Sequence, residues 1–294
     1  MMRMLVFMLL LLQADALRAE IALKDDRGRE LVLRDPARRI VSLAPHLTEL
    51  LFAAGAGSTL VGTAAYSDFP AQASRVPTIG DSSAIDIERV VALKPDVVLA
   101  WRSGNPAGVI AKLEQLGLRV FVTEPGTLES IADQIASFGR IAGSQAAAAE
   151  AAEQVRRDIT ALRLTYQGRR PVSVFYQIWH QPLMTVNGKQ VISAVIELCG
   201  GRNVFAGLKP LVPNVSLEAV LAADPEAIVT ASERPATEAL SDWSAWKQLR
   251  AVRNGNLVVL PPDDISRPTP RLLNGARRLC ARLERIRQAE PAAP

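Results

Sequence analysis

The chain has 294 residues, of which 49% are apolar and 22% are charged, and this balance excludes a disordered chain. Its length suffices for one large or two ordinary hydrophobic cores. The formal net charge of +4 is small and no dense run of lysine and arginine accompanies it, so a nucleic-acid-binding surface is not expected.

Residues 1–19 have the order of a secretory signal peptide. A basic residue, Arg3, precedes an apolar run from Met4 to Leu12, and small residues that suit signal cleavage follow at Ala16 and Ala19. The alternative, a membrane anchor, needs about 20 apolar residues, and this run is much shorter. We therefore predict export of the chain and removal of residues 1–19.

Beyond residue 19, short apolar runs alternate with amphipathic stretches, which is typical of parallel sheets covered on both faces by helices. The strand candidates are RRIVSLAP, LVGTA, DVVLAW and RVFVTE in the first half, and PVSVFYQI, EAIVTA and NLVVLPP in the second. This pattern predicts an α/β protein with an N-terminal lobe at residues 20–142 and a C-terminal lobe at residues 169–294.

Two segments, IERVVALKPDVVLAW from residue 87 and LEAVLAADPEAIVTA from residue 217, repeat one helix–strand unit at an offset of 130 residues. In each copy an N-cap precedes a first-turn glutamate, an apolar pair faces the sheet, and a proline ends the helix. The residues are Asp86, Glu88, Val90, Val91 and Pro95 in the first copy, and Ser216, Glu218, Val220, Leu221 and Pro225 in the second. Ordinary solvated glutamates would explain one copy, but the shared offset indicates two related lobes. Matched carboxylates suit docking to a two-fold symmetric basic partner.

One long helix is predicted between the two halves, over residues 143–168. Its interior is rich in alanine and lacks glycine and proline, while Val155 and Ile159 belong to an apolar stripe. Gly143 suits the start of this helix and Gly168 its end. Such a helix is about 34 Å long, so we expect a rigid connection and small opening motions.

The only two cysteines, Cys199 and Cys280, both fall in the second half of the chain. In an exported protein a cysteine pair favours a disulfide over a metal or catalytic site. The alternative is a pair of buried free thiols. We predict the disulfide.

The sequence resembles the periplasmic cobalamin-binding proteins, a family of substrate-binding proteins of ABC importers, from about Arg38 to Arg285. The segments that carry the resemblance are RIVSLAPHLTELLFAAGAG, YSDFP, IERVVALKPDVVLAWRSGN, IELCGGRNVF, VSLEAVLAADPEAIV and RPTPRLLNGARRLC. The resemblance implies two Rossmann-like lobes joined by a single long rigid helix, with the ligand cleft between them. It also implies a monomer in the periplasm that delivers cobalamin or a related corrinoid to a permease dimer, with no resident cofactor. Glu88 and Glu218 match the family positions that meet permease arginines.

Ligand-binding residues are expected where loops at the carboxyl ends of the strands converge on the cleft. The candidates are Pro45, His46, Tyr66 and Trp101 in the first lobe, and Trp179, His180, Asp263 and Arg267 in the second. Aromatic faces suit a flat macrocycle, and polar groups suit its rim of amides. Each aromatic residue could instead be part of the core.

Two positions depart from the family pattern. Ser82 lies where the best-known cobalamin binder has a tryptophan on a mobile loop, so a lid contact is expected to be missing. His46 stands where a small residue is expected, and we hypothesise that its imidazole coordinates cobalt.

Two other classes of function remain to be weighed. A haem or ferric-siderophore binder of the same fold is the alternative, with Tyr66, His46 or His180 as the iron ligand. An enzyme is not expected, because the chain has no Gly-rich phosphate loop, GxSxG or HExxH motif. His46 and Glu49 are three residues apart, but no third catalytic partner lies nearby in the sequence.

Overall fold

The structure is a computed structural model and describes residues 20–289, so the predicted signal peptide lies outside the described residues. The strands are β1 (Ile21–Lys24), β2 (Glu30–Leu33), β3 (Ile40–Ser42), β4 (Leu60–Thr63), β5 (Gly80–Asp81), β6 (Ala84–Ile85), β7 (Val97–Trp101), β8 (Val120–Thr123), β9 (Val172–Gln177), β10 (Trp179–His180), β11 (Leu183–Met184), β12 (Gly201–Asn203), β13 (Ala227–Ala231) and β14 (Leu257–Leu260). The α-helices are α1 (Pro45–Ala53), α2 (Ile87–Ala92), α3 (Ala107–Gln115), α4 (Glu129–Ala142), α5 (Gln145–Tyr166), α6 (Val191–Leu198), α7 (Leu217–Ala223), α8 (Ala236–Ala239), α9 (Arg250–Arg253), α10 (Pro262–Ile265) and α11 (Leu272–Ala289). None of the helices in this part of the chain is both long and apolar enough to cross a bilayer.

Two four-stranded parallel sheets have the same strand order. The first sheet runs β4-β3-β7-β8 and the second β12-β9-β13-β14, so each places its first strand between its second and third. The predicted α/β fold with two lobes is confirmed. Strand β12 was not predicted, because this three-residue strand of glycine, arginine and asparagine has no apolar run.

The repeated unit keeps its offset in the structure. Strand β7 begins at Val97 and β13 at Ala227, and each follows a short helix with a side-chain N-cap. The carboxylate of Asp86 accepts a hydrogen bond from the amide of Arg89, and the hydroxyl of Ser216 accepts one from that of Ala219. These caps satisfy amides that a helix start would otherwise leave unpaired.

The apolar face of α2 is narrower than predicted, whereas Leu221 of α7 packs against the core of the second lobe as expected. Val90 and Val220 are fully buried, as expected. Val91 is 39% exposed, so the prediction that it faces the sheet is wrong. Helix α2 is only six residues long, and successive residues diverge by about 100° around such a helix, so one valine reaches the core and its neighbour does not.

Helix α5 has 22 residues, which corresponds to about 33 Å. It packs along α4, and its buried residues Val155 and Ile159 belong to one continuous apolar core. That core also contains Leu50 of the first lobe and Val174 of the second. The helix is therefore packed against both lobes along its length, rather than spanning a gap between them.

Cys199 and Cys280 form a disulfide, as predicted. The bond joins the residue after α6 to the middle of α11, and both cysteines are fully buried. It therefore links two helices that cover one face of the second sheet, within a single lobe.

Candidate functional site

A cavity of about 510 Å³ lies between the two lobes, near the carboxyl ends of the strands. The first lobe contributes Trp101, Ser103, Glu124 and Pro125 to its wall, and the second lobe contributes the larger share, including Tyr176, Ile178, Gln190 and Ala231. Most of the wall is apolar or aromatic and a few polar side chains interrupt it. This is the usual composition of a small-molecule site.

Trp101 ends strand β7 and its indole is held from several sides. Its backbone amide donates to Oδ1 of Asn105 at 2.7 Å, which closes the turn after the strand. The indole lies directly against the backbone of Gly104, because a Cβ added there would be 1.8 Å from the ring. The amide of Asn105 donates to the carbonyls of Leu43 and Ser82, each at 2.9 Å. Trp101, one of the residues predicted to bind ligand, therefore lies in the wall of this cavity.

His46 lies behind Trp101, and the two rings meet edge to face with their centroids 5.1 Å apart. The imidazole is 4% exposed, and its Nε2 atom is buried without a hydrogen-bond partner in the described part of the chain. Burial, with a smaller effect of the positive charge of Arg267, lowers the pKa of His46 to about 3, so the ring is neutral. Neither His46 nor Pro45, the first residue of α1, is part of the cavity wall.

Arg267 crosses from the second lobe to the first. Its Nη1 donates to Oε1 of Glu49 at 2.7 Å and to Oδ1 of Asp68 at 2.8 Å, and its Nη2 donates to the carbonyl of Tyr66 at 3.2 Å. Its two neighbours in the chain, Ser266 and Pro268, line the cavity. Arg267 therefore lies at the edge of the cavity and bridges the lobes.

A second arginine extends this charged cluster. Arg271 donates to Asp263 at 3.0 Å, and its guanidinium also lies 3.7 Å from the carboxylate of Glu49. The guanidinium stacks over the ring of Phe69, 4.5 Å from its centroid, which is a cation–π geometry. Asp263 is therefore engaged mainly by Arg271, because its distance to Arg267 is 3.7 Å.

Tyr66 and Trp179 are exposed and are not part of the cavity wall. Tyr66 is 73% exposed, with the backbone in the left-handed region at a φ of 64°. Trp179 is 55% exposed on the β10–β11 hairpin and packs beside His180, with ring centroids 5.4 Å apart. Tyr66 remains connected to the cavity edge through Arg267, and Trp179 directly follows the wall residue Ile178.

Trp101 is the one predicted residue in the cavity wall; the other wall residues, together with Glu49 and Asp68, were not predicted. Glu124 directly follows strand β8, so the strand-end rule could have identified it. Tyr176 lies inside strand β9, where it reads as an ordinary core residue. Glu49 and Asp68 accept hydrogen bonds from Arg267, which is about 200 residues away in the chain. No local sequence pattern can predict a contact between residues so far apart.

The repeated unit places different residues at equivalent points of the cavity. Trp101 and Ala231 are the last residues of β7 and β13, they share the 130-residue offset, and both line the cavity. One lobe therefore presents an indole where the other presents a methyl group. The two first-turn glutamates, by contrast, match: Glu88 and Glu218 are both exposed.

Comparisons with known proteins agree with this geometry. The sequence pattern of the periplasmic binding protein family matches residues 40–263. The chain is 37% identical over 255 residues to the vitamin B12-binding protein of Vibrio parahaemolyticus, covering 86% of this chain and 92% of that protein. The crystal structure of the periplasmic vitamin B12-binding protein BtuF of Vibrio cholerae superposes with a TM-score of 0.80 at 37% identity, over 87% of this chain and 99% of that one.

A haem binder shares the fold alone. The periplasmic heme-binding protein RhuT of Roseiflexus sp. RS-1 superposes with a TM-score of 0.75 at 22% identity, over 86% of this chain and 100% of that one. The chain therefore belongs to the periplasmic binding protein family, as a relative of its vitamin B12-binding members.

Proposed function

We propose that this protein captures cobalamin or a related corrinoid in the cleft between its lobes. The proposal is carried by the interlobe cavity, with its aromatic and apolar walls, in a chain 37% identical to a vitamin B12-binding protein over nearly the whole of that protein. The exposed part of Trp101 offers a flat surface against a macrocycle. Gln190, Glu124 and Arg267 offer polar groups to the amides of its rim.

The residues around the cavity mouth extend this surface. A corrinoid is larger than the enclosed 510 Å³, so part of it would protrude toward the exposed rings of Tyr66 and Trp179. The predicted set of Pro45, His46, Asp263 and Arg267 then divides by role. Arg267 touches the ligand, while Asp263 and the residues that begin α1 support the cavity from outside its wall.

Delivery is the second part of the proposal. The protein acts in the periplasm as a monomer, after removal of residues 1–19, and passes its ligand to the permease dimer of an ABC importer. It catalyses no reaction. Glu88 and Glu218 dock onto permease arginines, which is supported by their exposure at equivalent points of the two lobes.

Calorimetric titration with cyanocobalamin and, separately, with haemin tests the ligand. We expect cyanocobalamin to bind with a nanomolar dissociation constant, equivalent to about 12 kcal/mol, and haemin to bind weakly or not at all. Trp101→Ala should weaken the cyanocobalamin affinity. Tight haemin binding with a Soret shift, lost in Tyr66→Phe or His180→Ala, would establish the haem alternative instead.

A further inference from the structure

We propose that Glu49 is a positioning residue of the ligand cleft, whose buried carboxylate holds the guanidinium of Arg267 at the cavity edge. This role rests on the proposed function, because Arg267 is the group that would touch the ligand. No part of the sequence pattern around Glu49 assigns it a role.

Glu49 is a rigid anchor. It lies in the middle of α1, next to Leu50 and Leu51, both fully buried, and its own side chain is only 2% exposed. A carboxylate so deeply buried has little freedom and is retained in the fold by its ion partners. The other carboxylate that binds Arg267, that of Asp68, is 59% exposed on a loop and is a less rigid anchor.

The hydrogen bonds fix the orientation of the guanidinium. A guanidinium has five N–H donors in a planar fork. Glu49, Asp68 and the carbonyl of Tyr66 engage three of the five donors of Arg267 in the described part of the chain. Both donors of Nη1 are engaged by carboxylates, so Nε and one hydrogen of Nη2 have no hydrogen bond among the described residues, although Nη2 lies 3.7 Å from Asp263. We infer that these two donors serve acceptors of the ligand. The amide carbonyls of a corrinoid rim are such acceptors.

Arg271 places a second positive charge beside Glu49. Its guanidinium lies 3.7 Å from the same carboxylate oxygen that accepts from Arg267. Arg271 is itself restrained by Asp263 at 3.0 Å and by stacking on Phe69. The Oε1 atom of Glu49 thus lies beside two guanidinium groups before any ligand arrives, although burial raises the pKa of this carboxyl group. Pre-organisation of this kind reduces the entropy cost of binding.

A double-mutant cycle separates positioning from simple support of the lobe contact. The dissociation constant for cyanocobalamin is measured calorimetrically for the unaltered protein, Glu49→Gln, Arg267→Gln and the double variant. We expect Glu49→Gln to raise the dissociation constant about tenfold in the unaltered protein. In the Arg267→Gln background the same substitution should raise it less than twofold. An unchanged affinity in Glu49→Gln, or an equal loss in both backgrounds, would overturn the proposal.

Glu226→Gln is the matched control. Glu226 is also buried, and it pairs with Arg170 at 2.6 Å, but it lies outside the cavity wall. Its loss should lower the melting temperature without changing the affinity by more than twofold. A loss of affinity equal to that of Glu49→Gln would show that general destabilisation, rather than positioning, explains both variants.

Two further measurements cover the remaining outcomes. In the ligand-free protein, Glu49→Gln should raise the rate of hydrogen exchange over residues 266–271. Unchanged exchange would refute the proposal that Glu49 restrains Arg267, and this test needs no ligand. If the unaltered protein does not bind cyanocobalamin, the proposed function fails, while the exchange experiment still decides the contact. If Glu49→Gln does not fold, Arg267→Lys should weaken binding about tenfold, because lysine cannot reproduce the fork, and unchanged affinity would refute the proposal.

Discussion

Replacing Gly104 by alanine should displace Trp101 and weaken ligand binding. The added Cβ would lie 1.8 Å from Cε3 of the indole, whereas two carbon atoms in contact are normally about 3.5 Å apart or more. The ring must therefore move by at least about 1.7 Å. No unusual backbone dihedral is involved at Gly104, so the effect is steric.

The direction of this movement sets the magnitude. His46 blocks the indole on one edge, so the ring moves into the open cavity, where it occupies space that the ligand needs. A well-placed tryptophan at the centre of a binding site is commonly worth about 2 kcal/mol or more. We therefore expect the dissociation constant for cyanocobalamin to rise about 30-fold. The fold should be nearly unaffected, because the cavity accepts the displaced ring.

Calorimetric titration of Gly104→Ala measures this effect, and Gly108→Ala is the control. Gly108 lies nearby in α3, and a Cβ added there would meet no heavy atom within 4 Å. This control should bind cyanocobalamin as the unaltered protein does and be slightly more stable, because alanine is the better helix former. Unchanged affinity in Gly104→Ala would refute the placement of Trp101 in the ligand site.

Four further outcomes are expected. The double variant Glu88→Arg with Glu218→Arg reverses both proposed docking charges, and it should abolish transport in cells while leaving cyanocobalamin binding intact. The control Glu150→Arg, on the exposed face of α5, should change neither property. Loss of ligand binding in the double variant would contradict the docking role. Replacing both cysteines by alanine opens a loop with a sequence separation of 81 residues and should lower the free energy of unfolding in urea by about 4 kcal/mol, whereas an unchanged value would show that the disulfide is not stabilising. Burial lowers the pKa of His46 from 6.5 to about 3. Below pH 6.5 the imidazole is therefore protonated in the unfolded chain, whereas in the folded chain it stays neutral down to about pH 3. The free energy of unfolding consequently falls as the pH drops from 6.5 to about 3. Between pH 7 and pH 5 the unaltered protein should lose about 2 kcal/mol more of its free energy of unfolding than His46→Phe, and parallel profiles would exclude a neutral buried imidazole. Because α5 packs on both lobes, the radius of gyration from small-angle scattering should change little with ligand, and a large decrease would contradict a rigid connection.

The fold was largely predictable because its signals are local. Apolar runs gave seven of the eight strands in the two main sheets, and the caps at Asp86 and Ser216 lie where the sequence placed them. Strand β12 was not predictable in this way, since it is held by pairing with β9 rather than by its own composition. The disulfide between Cys199 and Cys280 was predictable from the expected export of the chain, because the chain has no other cysteine.

The candidate site was less predictable because its geometry depends on distant contacts. Trp101 was identified by its place at a strand end, and that rule depends only on local structure. In the sequence Glu49 stands out only through its spacing from His46, yet its partners in the structure are Arg267 and Arg271. The sequence does not state which side of α1 faces the second lobe, so no local pattern could connect these residues.

The pairing of Trp101 with Ala231 has a consequence for delivery. Under the proposed docking, a two-fold symmetric permease would meet the same two glutamates after the protein rotates by 180°, so two docking poses would be equivalent. This equivalence would double the productive encounters, a gain of about 0.4 kcal/mol. The proposed ligand would not share this symmetry, because the cavity wall has an indole on one side and a methyl group on the other. The proposed permease would then have to accept the ligand in either of two orientations.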